Sequence, residues 1–153
     1  MLITGSIILM ILLDQAVKYW AAGTLAQVGT IPLLDGVFHL TYIENRGAAF
    51  SILQNQRWFF LVITPIILAV VFYALKKGFV RTSLGRCAMY LITAGALGNL
   101  IDRIFRGFVV DLFDFRLIHF PVFNVADIYV VCGVALFFFY ILFQHDKAEV
   151  HNG

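Results

Sequence analysis

The chain has 153 residues, of which 61% are hydrophobic, 16% aromatic and 13% charged. Soluble domains average about 45–50% apolar and about 25% charged residues, and a mean hydropathy of +0.91 leaves more apolar surface than a soluble core of this size can hide. A formal net charge of only +2, with no basic stripe interleaved with aromatics, argues against a nucleic-acid partner. The class implied is an α-helical integral membrane protein of one compact domain.

The first apolar run covers residues 2–22, long enough to cross a bilayer at about 20 residues per span. It is interrupted by D-Q-A-V-K at 14–18, where Asp14 and Lys18 stand four apart, on one helical face and in the favourable acid-before-base order for an ion pair. A-A-G at 21–23 resembles a signal-peptide cleavage site. The run lacks a basic leader and carries charges inside it, so a retained helix with a protein-facing ion pair is expected instead. Residues 24–56 are expected outside the membrane. Gly23, Gly29, Pro32, Asp35 and Gly36 punctuate their start, residues 37–43 alternate loosely and predict a strand, and N-R-G at 45–47 predicts a turn. That turn and the small residues after it form either an ordinary hairpin connection or a loop that dips into the membrane surface.

Residues 58–75 form the second predicted span, kinked at Pro65 with Trp58 and Tyr73 as interfacial aromatics. The short loop that follows holds Lys76, Lys77, Arg81 and Arg86 without an acid, which by the positive-inside tendency assigns it to the cytoplasm. Residues 87–105 form the third span. Within it Gly95, Gly98, Asn99, Asp102 and Arg103, with Arg106 just beyond, recur at spacings of three and four, broadly on one face. The glycines would allow close helix packing. A structural pair of Asp102 with Arg103 or Arg106 would explain part of this pattern, but not Asn99, which sits deeper. Residues 107–122 are again expected outside, with a strand over 108–113. Residues 125–143 form the fourth span, with Asn124 as its N-cap and Asp127 as the third helical residue of a capping box. Asp127 therefore has a purely structural reading beside any functional one. The tail from Gln144 is polar.

Four spans place both termini on the cytoplasmic side, with Lys147 beside the basic loop, and put the two longer connections outside as a small β-rich subdomain. Cys87 and Cys132 lie in apolar segments far from any His and read as small buried hydrophobes. His39, His119, His145 and His151 form no ligand pair, so neither a metal nor a cofactor is expected.

Sorted by depth, Asp14, Lys18, Asn45, Asn99, Asp102, Arg103, Asp111, Asn124 and Asp127 converge on the outer membrane interface. A Ser/His/Asp set, a catalytic Cys and a phosphate loop are missing from the sequence. What remains is a pair of carboxylates, Asp111 and Asp127, with Asp114 between them. Two carboxylates close together in a semi-dry site do not both ionise readily. The ionised one can take a proton from water while the protonated one polarises a scissile carbonyl, and the two titrate as a unit. Two other classes compete. A small proton-coupled transporter would use Asp14, Asp102 and Asp127 as relays, but predicts acids spread through the bilayer, and no inverted repeat is evident. A noncatalytic scaffold would leave Asp111 without a role.

The motifs D-Q-A-V-K at 14–18, N-R-G-A-A-F at 45–50, G-A-L-G-N-L-I-D-R at 95–103, V-V-D at 109–111 and F-N-V-A-D at 123–127, in this order, resemble lipoprotein signal peptidase, the bacterial type II signal peptidase family of aspartic endopeptidases. The resemblance covers nearly the whole chain. Departures are Val17 where a hydroxyl residue is common, Ala94 where Gly is common, and Ile128 where a small residue is common. The resemblance implies that Asp111 and Asp127 are the catalytic pair, that Asn45, Asn99, Arg103 and Asn124 line the cleft, and that Asp14, Lys18, Gly95 and Asp102 support it. It implies a prolipoprotein substrate with a diacylglyceryl-modified Cys, cut just before that Cys, and an enzyme of the bacterial inner membrane, expected to act as a monomer. The Gly and Ala content of the 45–50 loop suggests that it closes over bound peptide.

Overall fold

A computed structural model describes residues 2–48 and 52–143, with side chains from residue 5 onward. Four helices, α1 (Leu2–Val28), α2 (Arg57–Lys76), α3 (Ser83–Phe105) and α4 (Val125–Phe143), are long and apolar enough to cross a membrane. The connections between α1 and α2 and between α3 and α4 supply an antiparallel three-stranded sheet, β1 (Thr30–Leu34), β2 (Phe38–Asn45) and β3 (Val109–Phe115), in the order β1-β2-β3. The sheet stands at the end of the bundle where α1 and α3 finish and α2 and α4 begin.

Helix α3 is the centre of the bundle and packs on each of the other three. Its glycines permit this. A Cβ on Gly95 would collide with the Ala126 carbonyl oxygen of α4, and one on Gly98 would lie 2.6 Å from Asp14 Oδ2 of α1. The outer faces carry apolar side chains into the surroundings, Val62, Ile66 and Val70 on α2 and Val131, Val134 and Phe138 on α4 among them, as lipid contact requires.

The first helix runs beyond the predicted 2–22. Gly23 lies inside it, and the stop is Gly29, whose positive φ of 80° and N–H to Leu25 O bond end the helix as a left-handed C-terminal cap does. A glycine inside a membrane helix is tolerated; one that adopts positive φ ends it. The added turns have a job. Ala21 and Leu25 are fully buried against Val110 and Leu112 of β3, so the end of α1 is the floor on which the sheet rests. Strand β1 carries no signal in its sequence, because its P-L-L stretch lacks alternation, and β3 extends two residues past the predicted 113.

Cys87 and Cys132 are exposed, not buried. In a membrane chain an apolar segment satisfies itself against lipid, so hydropathy does not distinguish interior from outer face. Ala49, Phe50 and the tail from Gln144, including His145, Lys147 and His151, lie outside the described residues, as therefore does part of the loop expected to close over peptide.

Candidate active site

The residues that matter are delivered by local features. Helix α4 begins with a reciprocal capping box: the Asp127 N–H donates to Asn124 Oδ1 at 2.9 Å, and the Asn124 N–H donates to Asp127 Oδ2 at 3.2 Å. The Ala126 N–H, one of the orphan donors of that first turn, donates to Asp14 Oδ1 of α1 at 2.9 Å. A buried carboxylate from another helix thus fixes the start of α4 and favours its dipole.

Asp111 sits on β3, 1% exposed. Its Oδ2 accepts Asn45 Nδ2 at 2.9 Å and its Oδ1 accepts Asn124 Nδ2 at 2.6 Å. Asp127, half-buried, accepts Asn99 Nδ2 on Oδ1 at 2.7 Å. Asn124 is fully buried and bonds to both acids, so it links strand and helix across the pair. The remaining N–H of Asn124 reaches Asn99 Oδ1 at 3.2 Å. Burial, followed by the negative charge of Asp127, pushes Asp111 up to about 7, against the pull of the Asn45 and Asn124 bonds and the Lys18 charge.

Beneath the pair lies a second cluster. Lys18, fully buried, donates to Asp14 Oδ2 at 3.0 Å, Asp102 Oδ2 at 3.0 Å and Asn99 Oδ1 at 2.8 Å. Three ammonium protons therefore meet three acceptors. The expected Asp14–Lys18 pair is present. Asp102 faces Lys18 and approaches Arg106 at 3.8 Å, whereas Arg103 takes a different course. Its Nη2 donates to Gly47 O at 2.8 Å and its guanidinium lies 4.3 Å from the Phe60 ring centre, so it ties the 45–48 turn to α3 and α2.

Asp114, on the same strand as Asp111, is turned away. It accepts from Arg116 Nε at 2.9 Å and Thr41 Oγ1 at 2.8 Å. Burial acts to raise its affinity for a proton, but these two bonds outweigh it and hold the carboxyl below its ordinary range.

Two participants carried no sequence expectation. Gln15 donates to Asp14 Oδ2 at 3.1 Å and to Gly98 O at 3.2 Å; its place inside D-Q-A-V-K was the available signal. Arg57 donates to Arg103 O at 2.8 Å and Ile104 O at 3.0 Å, capping α3 from the start of α2. Chemically, the site is a pair of carboxylates held by amides, the outer one partly open to solvent, above a cation–carboxylate cluster. Among the described residues no group of three or more His, Cys, Asp or Glu is placed to hold a metal ion.

Comparison with known proteins matches residues 6–143 to the family model described as signal peptidase (SPase) II. The chain is 51% identical over 145 residues to a lipoprotein signal peptidase of Clostridioides difficile, covering 94% of this chain and 96% of that one. It is 40% identical over 146 residues to a lipoprotein signal peptidase of Streptococcus thermophilus, covering 95% of each. A bacterial membrane enzyme solved by the in meso method at 2.3 Å resolution superposes with a TM-score of 0.81 at 34% identity, over 94% of this chain and 87% of that one.

Proposed function

The chain belongs to the signal peptidase II family, a membrane peptidase that removes signal peptides from lipoproteins, and on that premise we propose that it is an aspartic endopeptidase cutting just before a diacylglyceryl-modified Cys. Asp111 and Asp127 are the catalytic residues. The observation that carries this reading is the amide-linked pair itself: two buried or half-buried carboxylates bonded to the same Asn124 side chain and backbone, neither of them in an ion pair among the described residues.

In the proposed cycle a water and the scissile carbonyl meet between the acids. Asp127, the more exposed member, is the carboxylate that takes the proton from water. Asp111, only 1% exposed, is the protonated partner that polarises the carbonyl, since the drier of two neighbouring acids is the one that keeps the proton. Asn45, Asn99 and Asn124 hold the acids in register. Arg103 and the 45–48 turn flank the site and offer donors to substrate backbone, while Asp14, Lys18, Gly95 and Asp102 hold α1, α3 and α4 together beneath it. An acyl-bearing Cys must be met at the bilayer, which suits a site at one end of a membrane bundle.

On this reading residues 1–153 are one domain of the bacterial inner membrane, acting as a monomer, with both termini cytoplasmic and the site at the outer face. The acid-free 76–86 loop supports that orientation. The decisive experiment offers purified protein a precursor peptide with and without the diacylglyceryl group. Cleavage of the lipidated peptide only, unaffected by chelator and lost in Asp111→Asn and in Asp127→Asn, is expected. Activity retained in either folded variant rejects the pair, and a requirement for added metal rejects the mechanism.

A further inference from the structure

The orientation of each asparagine amide beside the acids is dictated by what bonds its oxygen. Asn45 Oδ1 accepts the Gly47 N–H at 2.9 Å and Asn124 Oδ1 accepts the Asp127 N–H at 2.9 Å. Backbone donors cannot reverse, so the NH₂ groups of these two residues must face carboxylates. Asn99 Oδ1 is held by side chains instead: Lys18 Nζ at 2.8 Å and Asn124 Nδ2 at 3.2 Å. Its Nδ2 donates to Asp127 Oδ1 at 2.7 Å.

We propose that Lys18 is a positioning residue for hydrolysis: by placing an obligate donor on Asn99 Oδ1 it locks the Asn99 amide with Nδ2 toward Asp127, and so keeps Asp127 the proton acceptor of the pair. An ammonium has three donors and no acceptor. Flipping the Asn99 amide would set NH₂ against the Lys18 ammonium and oxygen against the Asp127 carboxylate, exchanging two bonds for two repulsions. With the lock in place both Asp127 oxygens face fixed donors, Asn99 Nδ2 and the Asn124 N–H. Asp111 also receives two amides. The asymmetry between the acids is the buried cation, joined to Asp127 through a single residue. This deepens the two-aspartate reading and rests on it.

The charged and titratable groups around this relay are Asp14 on α1, Asp102 and Arg103 on α3 with Arg106 as its C-cap, Asp111 on β3, Asp127 and Tyr129 on α4, Tyr42 and Glu44 on β2 with Arg46 just after it, and Arg57 on α2. Removing Lys18 alone strands two buried carboxylates, so the test uses Lys18→Met in an Asp102→Asn background, which removes one charge of each sign. The comparison is with Asp102→Asn alone, using the lipidated peptide and purified full chain in detergent. The expected result is a kcat lower by about 10²-fold with KM little changed, and an acid limb of the kcat–pH profile moved to higher pH, because the base has lost a donor. A folded double variant whose kcat and pH profile match those of Asp102→Asn overturns the proposal. Asn99→Asp provides a second route that keeps Lys18 bonded while deleting the donor to Asp127; it should show the same kcat loss and limb shift, and a profile like that of the parent overturns the proposal even if the double variant does not fold. Failure of the underlying reading looks different: Asp111→Asn or Asp127→Asn would then still cleave.

Discussion

Two pairs of carboxylates are joined through Asn99, which accepts from Lys18 and donates to Asp127, and they have opposite characters. Asp14 and Asp102 share the Lys18 ammonium at 3.0 Å each, and each also accepts a backbone N–H, from Ala126 and Val110 respectively. Asp111 and Asp127 receive amides but make no ion pair among the described residues. A carboxylate bonded at once to a buried cation and to a backbone N–H of another element serves as a strut. One held by neutral donors in a desolvated place can exist with or without its proton. The first set is suited to holding helices, the second to moving protons.

Substitutions should separate the two sets. The largest effect belongs to the amide-held pair. Asp111→Asn and Asp127→Asn should each lower cleavage by on the order of 10⁴-fold with the fold retained, read by turnover of the lipidated peptide and by thermal denaturation. The cation-held set should fail the other way: Lys18→Met, leaving Asp14 without a cation and Asp102 with only the 3.8 Å approach of Arg106, should cost about 3–5 kcal/mol of stability in denaturant titration. If Lys18→Met proved as stable as the parent, the division into struts and proton carriers would collapse.

Smaller changes sharpen the same contrast. Gly98→Ala brings a methyl to 2.6 Å from Asp14 Oδ2 and should cost about 1–3 kcal/mol, by pushing on the strut while leaving Asp111 and Asp127 in place. The pH dependence of stability should report the other set. Asp111 binds its proton more tightly folded, at about 7, than at the ordinary 3.8, so its contribution favours the folded chain at low pH and is lost as pH climbs from about 4 through about 7. Asp111→Asn should remove that slope, measured as denaturation midpoints at pH 5 and pH 8. Least affected should be Asp114→Asn. That strand neighbour of Asp111 makes a partly exposed ion pair with Arg116, and its loss should cost no more than about 1 kcal/mol with cleavage retained.

Much of this was legible in the residues, and where it was legible the reason is locality. Four apolar runs identify the spans because hydrocarbon demands them at a fixed length. Asn124 and Asp127, three apart, declare the capping box, and Asp14 and Lys18, four apart, declare their pair, because the helix itself brings such positions together. The motif series pointed to the family. Reading by depth gathered the polar residues at one level, and the fold joins Asn45, Asn99, Asp111, Asn124 and Asp127 in one bonded network there.

Relations that cross the chain were decided elsewhere. Asp102 has Arg103 beside it in sequence, yet its close partner is Lys18, and Arg103 reaches Gly47 instead. The end of α1 depended on which glycine takes positive φ and on β3 needing Ala21 and Leu25 beneath it. Cys87 and Cys132 proved to be exposed because lipid and protein interior are equally apolar to a hydropathy count. The sequence by itself determined which segments enter the membrane and which acids begin or interrupt them, since those follow from composition and from spacings of three and four. Only the tertiary structure determined which acids meet a cation and which meet amides, because that depends on α1, α3, α4 and β3 packing within hydrogen-bond reach of one another.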